Sequence, residues 1–310
     1  MTIATIKKPL ALFAALALGV ALAAAPPVFA ADPAQRIFPS ADAAVQALKA
    51  ATARFDETAL RGLFGSDYDR IKSADAAQLR GNVARANKAM AEHVLLSPDG
   101  PDRVVLLFGF ESWPFPIPLV KEAGGQWRFD TAAGAEEILN RRIGANELKA
   151  IASLAAYVAA QREYASKPRG DGPVRAFAQK IRSAPGKKDG LYWPARPGEE
   201  QSPFGPLVPD AAQRQPGAPY YGYYFRILTA QGPAAPGGAY SYVINRNMVA
   251  GFAMLAYPAA YGNTGIMSFV VNHYGDIYQK DLGPDTAAQA VAIRAYNPDS
   301  SWVPVQPSRQ

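Results

Sequence analysis

The first thirty residues constrain the rest of the chain most, because they say in which medium it folds. Lys7 and Lys8 open the segment and an apolar run follows from Leu10 to Ala25. Val28-Phe29-Ala30 then places small residues at the −3 and −1 positions of a cut after Ala30. This is the pattern of a secretory signal peptide. Pro26 and Pro27 break the run, which is shorter than the ~20 apolar residues of a membrane-spanning helix. Exported domains commonly use disulfides, yet this chain has no cysteine. Its core alone must hold it, and lipidation at a new N-terminal cysteine is excluded. The expectation is a periplasmic or secreted bacterial protein, and the Ala-rich composition points to a Gram-negative source.

Cleavage leaves 280 residues, enough for one large domain or two ordinary ones. The formal charge falls from +6 to +4, because Lys7 and Lys8 leave with the signal. No run of five like charges exists, so no nucleic-acid partner is expected. No second apolar stretch reaches membrane length, so no span is expected after cleavage.

The mature chain divides by composition. Residues 31–166 read as an N-terminal α+β domain, 167–188 as a linker and 189–310 as a C-terminal β-rich domain. The linker begins with Lys167-Pro168-Arg169-Gly170-Asp171-Gly172-Pro173. Ser40 is the expected N-cap of a helix to Phe55, with Val45, Leu48, Thr52 and Phe55 on one face. A short helix is expected after Asp56, and a longer Ala- and Arg-rich one over 75–91. Strands from His93 and over 104–110, with a hairpin around Ala123-Gly124-Gly125, then give an antiparallel meander. Two helices follow. The second, from Asn146 to about Ala165, carries a stripe of Leu148, Ile151, Ala155 and Val158, and Pro168 stops it. Helices packed on a meander make an α+β layer. Their order resembles the cone-shaped nuclear-transport-factor-2-like fold.

In the second half, strands are expected over 220–228, 239–244, 249–257, 265–271 and 276–279, and a closing helix over 286–295. Ser241-Tyr242-Val243-Ile244-Asn245 and Ser268-Phe269-Val270-Val271-Asn272 are near copies. They read as two hairpins sharing turn chemistry rather than as a repeat.

Catalytic signatures are scarce. There is no Gly-x-Ser-x-Gly elbow, no Ser-x-x-Lys pair, no phosphate loop and no dinucleotide fingerprint, and thiol chemistry is excluded. The two histidines, His93 and His273, sit in different halves, a poor basis for a zinc site; no metal and no cofactor are expected. Asp67 and Asp69 lack the glycine and terminal glutamate of a calcium loop. Glu136 and Glu137 read as helix-start acids. Asp276, Asp281 and Asp285 read as turn acids, although a general acid/base pair needs such groups in unlike environments. Catalytic residues stay unknown at this level.

The densest unusual region is Asp189-Gly190-Leu191-Tyr192-Trp193-Pro194, then Glu199-Glu200-Gln201-Ser202-Pro203-Phe204, then Tyr220-Tyr221-Gly222-Tyr223-Tyr224. Aromatics mixed with acids and amides line sugar- or peptide-binding grooves. Equally, tyrosine belongs in strands, and such residues pack cores. The candidate binding residues are Tyr192, Trp193, Glu199, Tyr223, Tyr224 and Asp281.

These same runs resemble a bacterial family of unknown function, DUF2950. So do Ala256-Tyr257-Pro258-Ala259-Ala260-Tyr261-Gly262, Tyr278-Gln279-Lys280-Asp281-Leu282-Gly283 and, earlier, Trp127-Arg128-Phe129-Asp130-Thr131. The resemblance spans the mature chain and implies an exported bacterial protein. It implies no activity, ligand or catalytic residue. The strand-rich end is also similar to pseudopilin heads, although a pilin's long apolar N-terminal helix is missing. The function expected is a non-enzymatic binding or accessory protein of the cell envelope, its partner an envelope protein or a cell-wall component. The alternative is a hydrolase of cell-wall glycan or peptide using carboxylates such as Glu199, Asp276 or Asp281, which requires two of them about 5–10 Å apart across a cleft.

Overall fold

A computed structural model describes residues 35–169, 173–207 and 217–306. The signal-peptide reading of residues 1–30 and the Gly170-Asp171-Gly172 part of the linker lie outside them. The described chain mixes helix with antiparallel sheet.

Helix starts in the first part follow from side-chain caps. Ser40 accepts from the Ala43 amide at 3.1 Å and opens α1 (Ala41–Ala53). Asp56 accepts from Ala59 at 2.9 Å and opens α2 (Glu57–Phe64). A single 3-10 turn leads into α3 (Tyr68–Ile71), and Asp75 caps α4 (Ala76–Glu92) through the Ala77 and Gln78 amides. Each cap satisfies an amide that the helix itself leaves without a partner. The strands β1 (Val94–Pro98), β2 (Arg103–Phe108), β3 (Trp113–Pro114), β4 (Leu119–Lys121) and β5 (Trp127–Phe129) form one antiparallel sheet, ordered β1-β2-β4-β5 with β3 on β2. Leu48, Leu63, Met90, Leu106, Phe108 and Phe129 are the largest fully buried side chains of the core between helices and sheet.

One helix stands where two were expected. α5 (Thr131–Tyr164) runs 34 residues, about 50 Å at 1.5 Å per residue. The second helix was expected to start at Asn146, but a glycine just before it, Gly144, costs a continuous helix only ~1 kcal/mol, and packing at both ends outweighs it. The first turns of α5 lie on the N-terminal core: Thr131 and Gly134 are buried, and a Cβ at Gly134 would stand 2.5 Å from Ile117. The last turns belong to a second core through Ala150, Leu154, Tyr157, Val158 and Tyr164. Leu148 and Ala155, placed on the buried stripe by spacing, face outward, Leu148 with 59% of its surface exposed.

The second core lies under a five-stranded antiparallel sheet ordered β14-β13-β12-β11-β6. Its strands are β6 (Tyr223–Leu228), β11 (Ala253–Pro258), β12 (Met267–Asn272), β13 (Ile277–Asp281) and β14 (Val303–Pro304). The short strands β7 (Ala230–Gln231), β8 (Tyr240–Ser241), β9 (Val243–Ile244) and β10 (Asn247–Met248) make two further ribbons. The near-copied segments do end in two hairpins, but with different turns. Asn245 and Arg246, both at positive φ, join β9 to β10 in two residues. A longer loop with Gly275 at φ +98° joins β12 to β13. The closing helix, α6 (Thr286–Ala292), stops short of Ala295 because Ile293 is already extended.

α5 is fastened to this sheet at its middle. Glu147 Oε1 accepts from the Ile266 and Met267 amides at 2.9 and 3.0 Å, and Asn146 donates to the Thr264 carbonyl at 3.0 Å. Between α5 and β6 the described chain is irregular. It is tied down by Gln161, fully buried, which donates to the Ala178 carbonyl and accepts from the Ala178 amide, both at 2.8 Å.

One close approach here is testable. A Cβ at Gly265 would stand 2.0 Å from the Tyr223 hydroxyl, which donates to the Met267 carbonyl at 2.9 Å. Gly265→Ala is expected to cost about 1–3 kcal/mol in urea unfolding by displacing that buried ring. An unchanged midpoint would refute the packing described.

Candidate functional site

A well-formed concavity lies in the N-terminal lobe. It is a cavity of about 600 Å³, open to solvent, between α1, α2, α3 and α4 on one side and the β3–β4 loop and the start of α5 on the other. Its floor is apolar: Leu48, Leu60, Phe64, Ile71, Val83, Met90, Phe115 and Ile117. Volume remains because α4 turns Ala86 and Ala89 toward the gap, side chains too small to fill it. A mostly apolar cavity with a few polar groups at one end is the usual form of a small-molecule site.

Every charged side chain lining the cavity is cationic: Lys72, Arg85 and Arg141. Lys72 is held between Asp69 at 2.9 Å and Glu57 at 3.2 Å. Asp69 also takes a two-pronged contact from Arg61, at 2.8 and 3.1 Å, and hydrogen bonds from Arg61 and Lys72 hold its carboxyl far below the usual carboxylate range. Arg141 pairs with Glu137 at 2.7 Å, donates to the Pro114 carbonyl at 2.8 Å and lies 5.3 Å from the Trp113 ring at the rim. Arg85 folds back over the preceding turn of α4, where Gly81 leaves space and the Asn82 side-chain oxygen accepts from it. Arg85 has no carboxylate partner among the described residues.

Tyr68 completes the wall. It is 3% exposed, stacks on Phe64 and carries the Arg61 guanidinium 5.0 Å from its ring centre. Its hydroxyl is buried with no hydrogen-bond partner among the described residues, and burial pushes the phenol pKa up. An unsatisfied buried hydroxyl costs about 1–3 kcal/mol, which a bound acceptor recovers.

None of the six residues singled out from the sequence lines this cavity. Tyr192, Trp193 and Tyr223 sit in the C-terminal core, at 8%, 5% and 0% exposure. The Trp193 indole donates to the Glu200 carbonyl at 3.0 Å. Tyr224 is half-buried beside Tyr257 on the neighbouring strand. Glu199 is exposed and accepts from the Arg196 amide at 3.1 Å within its own turn. Asp281, at the end of β13, accepts from the Tyr261 hydroxyl at 3.2 Å and the Gly283 amide at 2.7 Å. Glu200, next to Glu199 in the chain, is joined to Lys167, Arg169 and Lys188 at 2.8 to 3.1 Å.

Asp276 and Asp281 bracket β13, so they stand roughly 17 Å apart at ~3.3 Å per residue, beyond the spacing of a paired-carboxylate glycosidase. His93 is exposed and stacks on Phe110, while His273 is partly buried against Tyr242, Phe252 and Tyr274. Among the described residues no cluster of three or more His, Cys, Asp or Glu is placed to hold a metal ion, and no helix is long and apolar enough to cross a membrane.

The cavity residues escaped sequence reading because they come from six separate segments. The one local signal was the spacing of Leu79, Val83, Ala86 and Met90 on α4, which marks an inward face without saying that it is underfilled.

Residues 35–305 match the family described as protein of unknown function, DUF2950. No curated protein and no solved structure matches the chain, so the likeness to nuclear transport factor 2 rests on element order alone and that to pseudopilin heads on the strand-rich end alone.

Proposed function

This chain belongs to the DUF2950 family of proteins of unknown function, and from its own geometry we propose that it is an exported, non-enzymatic binding protein of the cell envelope that holds an apolar molecule in its N-terminal cavity. The observation that carries this reading is the cavity itself: about 600 Å³ of mostly apolar space within a folded lobe. Apolar surface left facing water in such a concavity favours a ligand that covers it. Its volume falls inside the ~300–1,000 Å³ range of small-molecule sites. Export is supported by the Lys7-Lys8 start, the apolar run and the Val28-Phe29-Ala30 ending. The envelope partner, whether a protein or a cell-wall component, belongs to the same proposal.

The test is binding of an uncharged naphthylamine dye, which fluoresces in apolar surroundings, to the mature protein. The dye is expected to bind with one-to-one stoichiometry. Ala86→Trp or Ala89→Phe, which fill the gap, are expected to weaken it about tenfold or more. Circular dichroism and melting of each variant separate blocked binding from misfolding. A folded wild-type protein that ignores the dye would overturn the proposal. For export, the envelope form is expected to begin at Ala31, read by mass spectrometry of the intact chain.

A further inference from the structure

The chemistry at the mouth of the cavity narrows what it takes. We infer that the cavity is built for a single-chain amphiphile with an anionic head, its tail on the apolar floor and its carboxylate or phosphate at Arg85. The inference rests on the binding reading above and goes beyond it, by assigning the ligand's charge and the residue that reads it.

Three observations carry it. The first is the sign of the charge: Lys72, Arg85 and Arg141 line the opening and no carboxylate does. Glu57, Asp69 and Glu137 offset Lys72 and Arg141, which leaves Arg85 as the cation that favours an anionic head over a cationic one. The second is availability. Lys72 and Arg141 are engaged by Asp69, Glu57 and Glu137, whereas among the described residues Arg85 hydrogen-bonds the Asn82 side chain of its own helix and no carboxylate. Its planar fork is therefore open to a bidentate acceptor, the geometry in which arginine binds carboxylate and phosphate best. The third is the layout. The charged lining groups are exposed or partly exposed, Arg85 on α4 the most open of them, while the lining residues Leu48, Phe64 and Met90 are buried and apolar. A ligand with one charged end and one long apolar end matches that division.

Size limits the tail. About 600 Å³ lies within the range of single small-molecule sites, which suits one chain and its head. The buried Tyr68 hydroxyl lies in the same wall without a partner and offers a donor to a head-group oxygen or to a water carried in with it.

The experiment displaces the naphthylamine dye from the mature protein with hexadecanoate, hexadecyl phosphate, hexadecanol and hexadecylamine, each below its aggregation limit. The two anions are expected to compete about tenfold better than the alcohol, and the amine worse than the alcohol. Added salt is expected to shrink the preference, because the rim is solvent-exposed. In Arg85→Gln, an exposed helix position where folding is not at stake, the acids are expected to fall to the level of the alcohol while the alcohol itself is unchanged. Equal competition by acid and alcohol, a best-binding amine, or an Arg85→Gln variant that keeps the acid preference would overturn the inference and leave the cavity reading standing. Failure of the dye and of all four amphiphiles to bind would overturn both.

Discussion

Trp193→Ala is expected to destabilise the protein by about 3–5 kcal/mol, read from the urea midpoint with the slope unchanged. The indole is 5% exposed, and its ring N–H donates to the Glu200 carbonyl at 3.0 Å. Lys188 and Arg169 lie 5.5 and 6.0 Å from its ring centre. Truncation removes a large apolar side chain from a packed site, leaves a cavity and leaves a carbonyl without its donor. The same substitution decides between the two uses of the aromatic segment weighed from the sequence. A loss of this size belongs to a core tryptophan. A variant as stable as the parent, but failing to retain an envelope partner, would instead make Tyr192-Trp193 the wall of a binding groove.

The second large effect concerns Glu200. Its carboxylate gathers Lys167, Arg169 and Lys188, and the Arg169 side chain is itself only 5% exposed. Arg169 also donates to the Glu163 and Tyr164 carbonyls, the last turn of α5, where a cation suits the helix dipole. Glu200→Gln leaves three cations facing one another, one of them buried. Breaking a buried pair from one side costs several kcal/mol; with Glu200 30% exposed, about 2 kcal/mol is expected at neutral pH.

The sign of the pH dependence follows from the same contacts. Hydrogen bonds from Lys167 and Lys188, with Arg169 behind them, lower the Glu200 pKa from 4.5 to about 2. A carboxyl whose folded value lies below its unfolded value stabilises fully above the unfolded value. That stability is lost as pH falls through the folded one. Asp189, lowered by its hydrogen bond from Lys180, acts in the same direction. Stability is therefore expected to decline between about pH 4.5 and pH 2, and the gap between wild type and Glu200→Gln to narrow across that window. A constant gap from neutral to acid, or no gap at neutral pH, would refute the assignment.

The parts of the fold legible in the sequence were those governed by neighbours along the chain. Ser40 and Asp56 cap helices because a side-chain oxygen can reach an amide three residues on. Asn272 to Gly275 turns because Gly275 tolerates positive φ. Half of the expected α5 stripe lies on the core, Ile151 and Val158, while Leu148 and Ala155 face outward. Its true buried line runs through Ala150, Leu154, Tyr157, Val158 and Gln161, and includes a glutamine that no hydrophobic pattern would select. Gln161 is tolerated there because Ala178 satisfies it from both sides, a partner 17 residues away.

The candidate site divides in the same way. Local chemistry set the element types, the turns, the absence of disulfides and the aromatic wealth of the second half. Whether a given aromatic faced solvent or core depended on which strands paired above it. β6 lies beside β11, and Tyr223 falls on the buried side of that pairing. The cavity was further from reach, since it is a volume left between segments and no residue encodes a volume. Lys72, Arg85 and Arg141 are ordinary helix-surface or turn cations in sequence. They acquire a common direction only when α3, α4 and α5 are packed around the same opening. Backbone and capping energies act over a few residues, whereas packing and the field of a group of charges depend on contacts that the chain makes only once it has closed on itself.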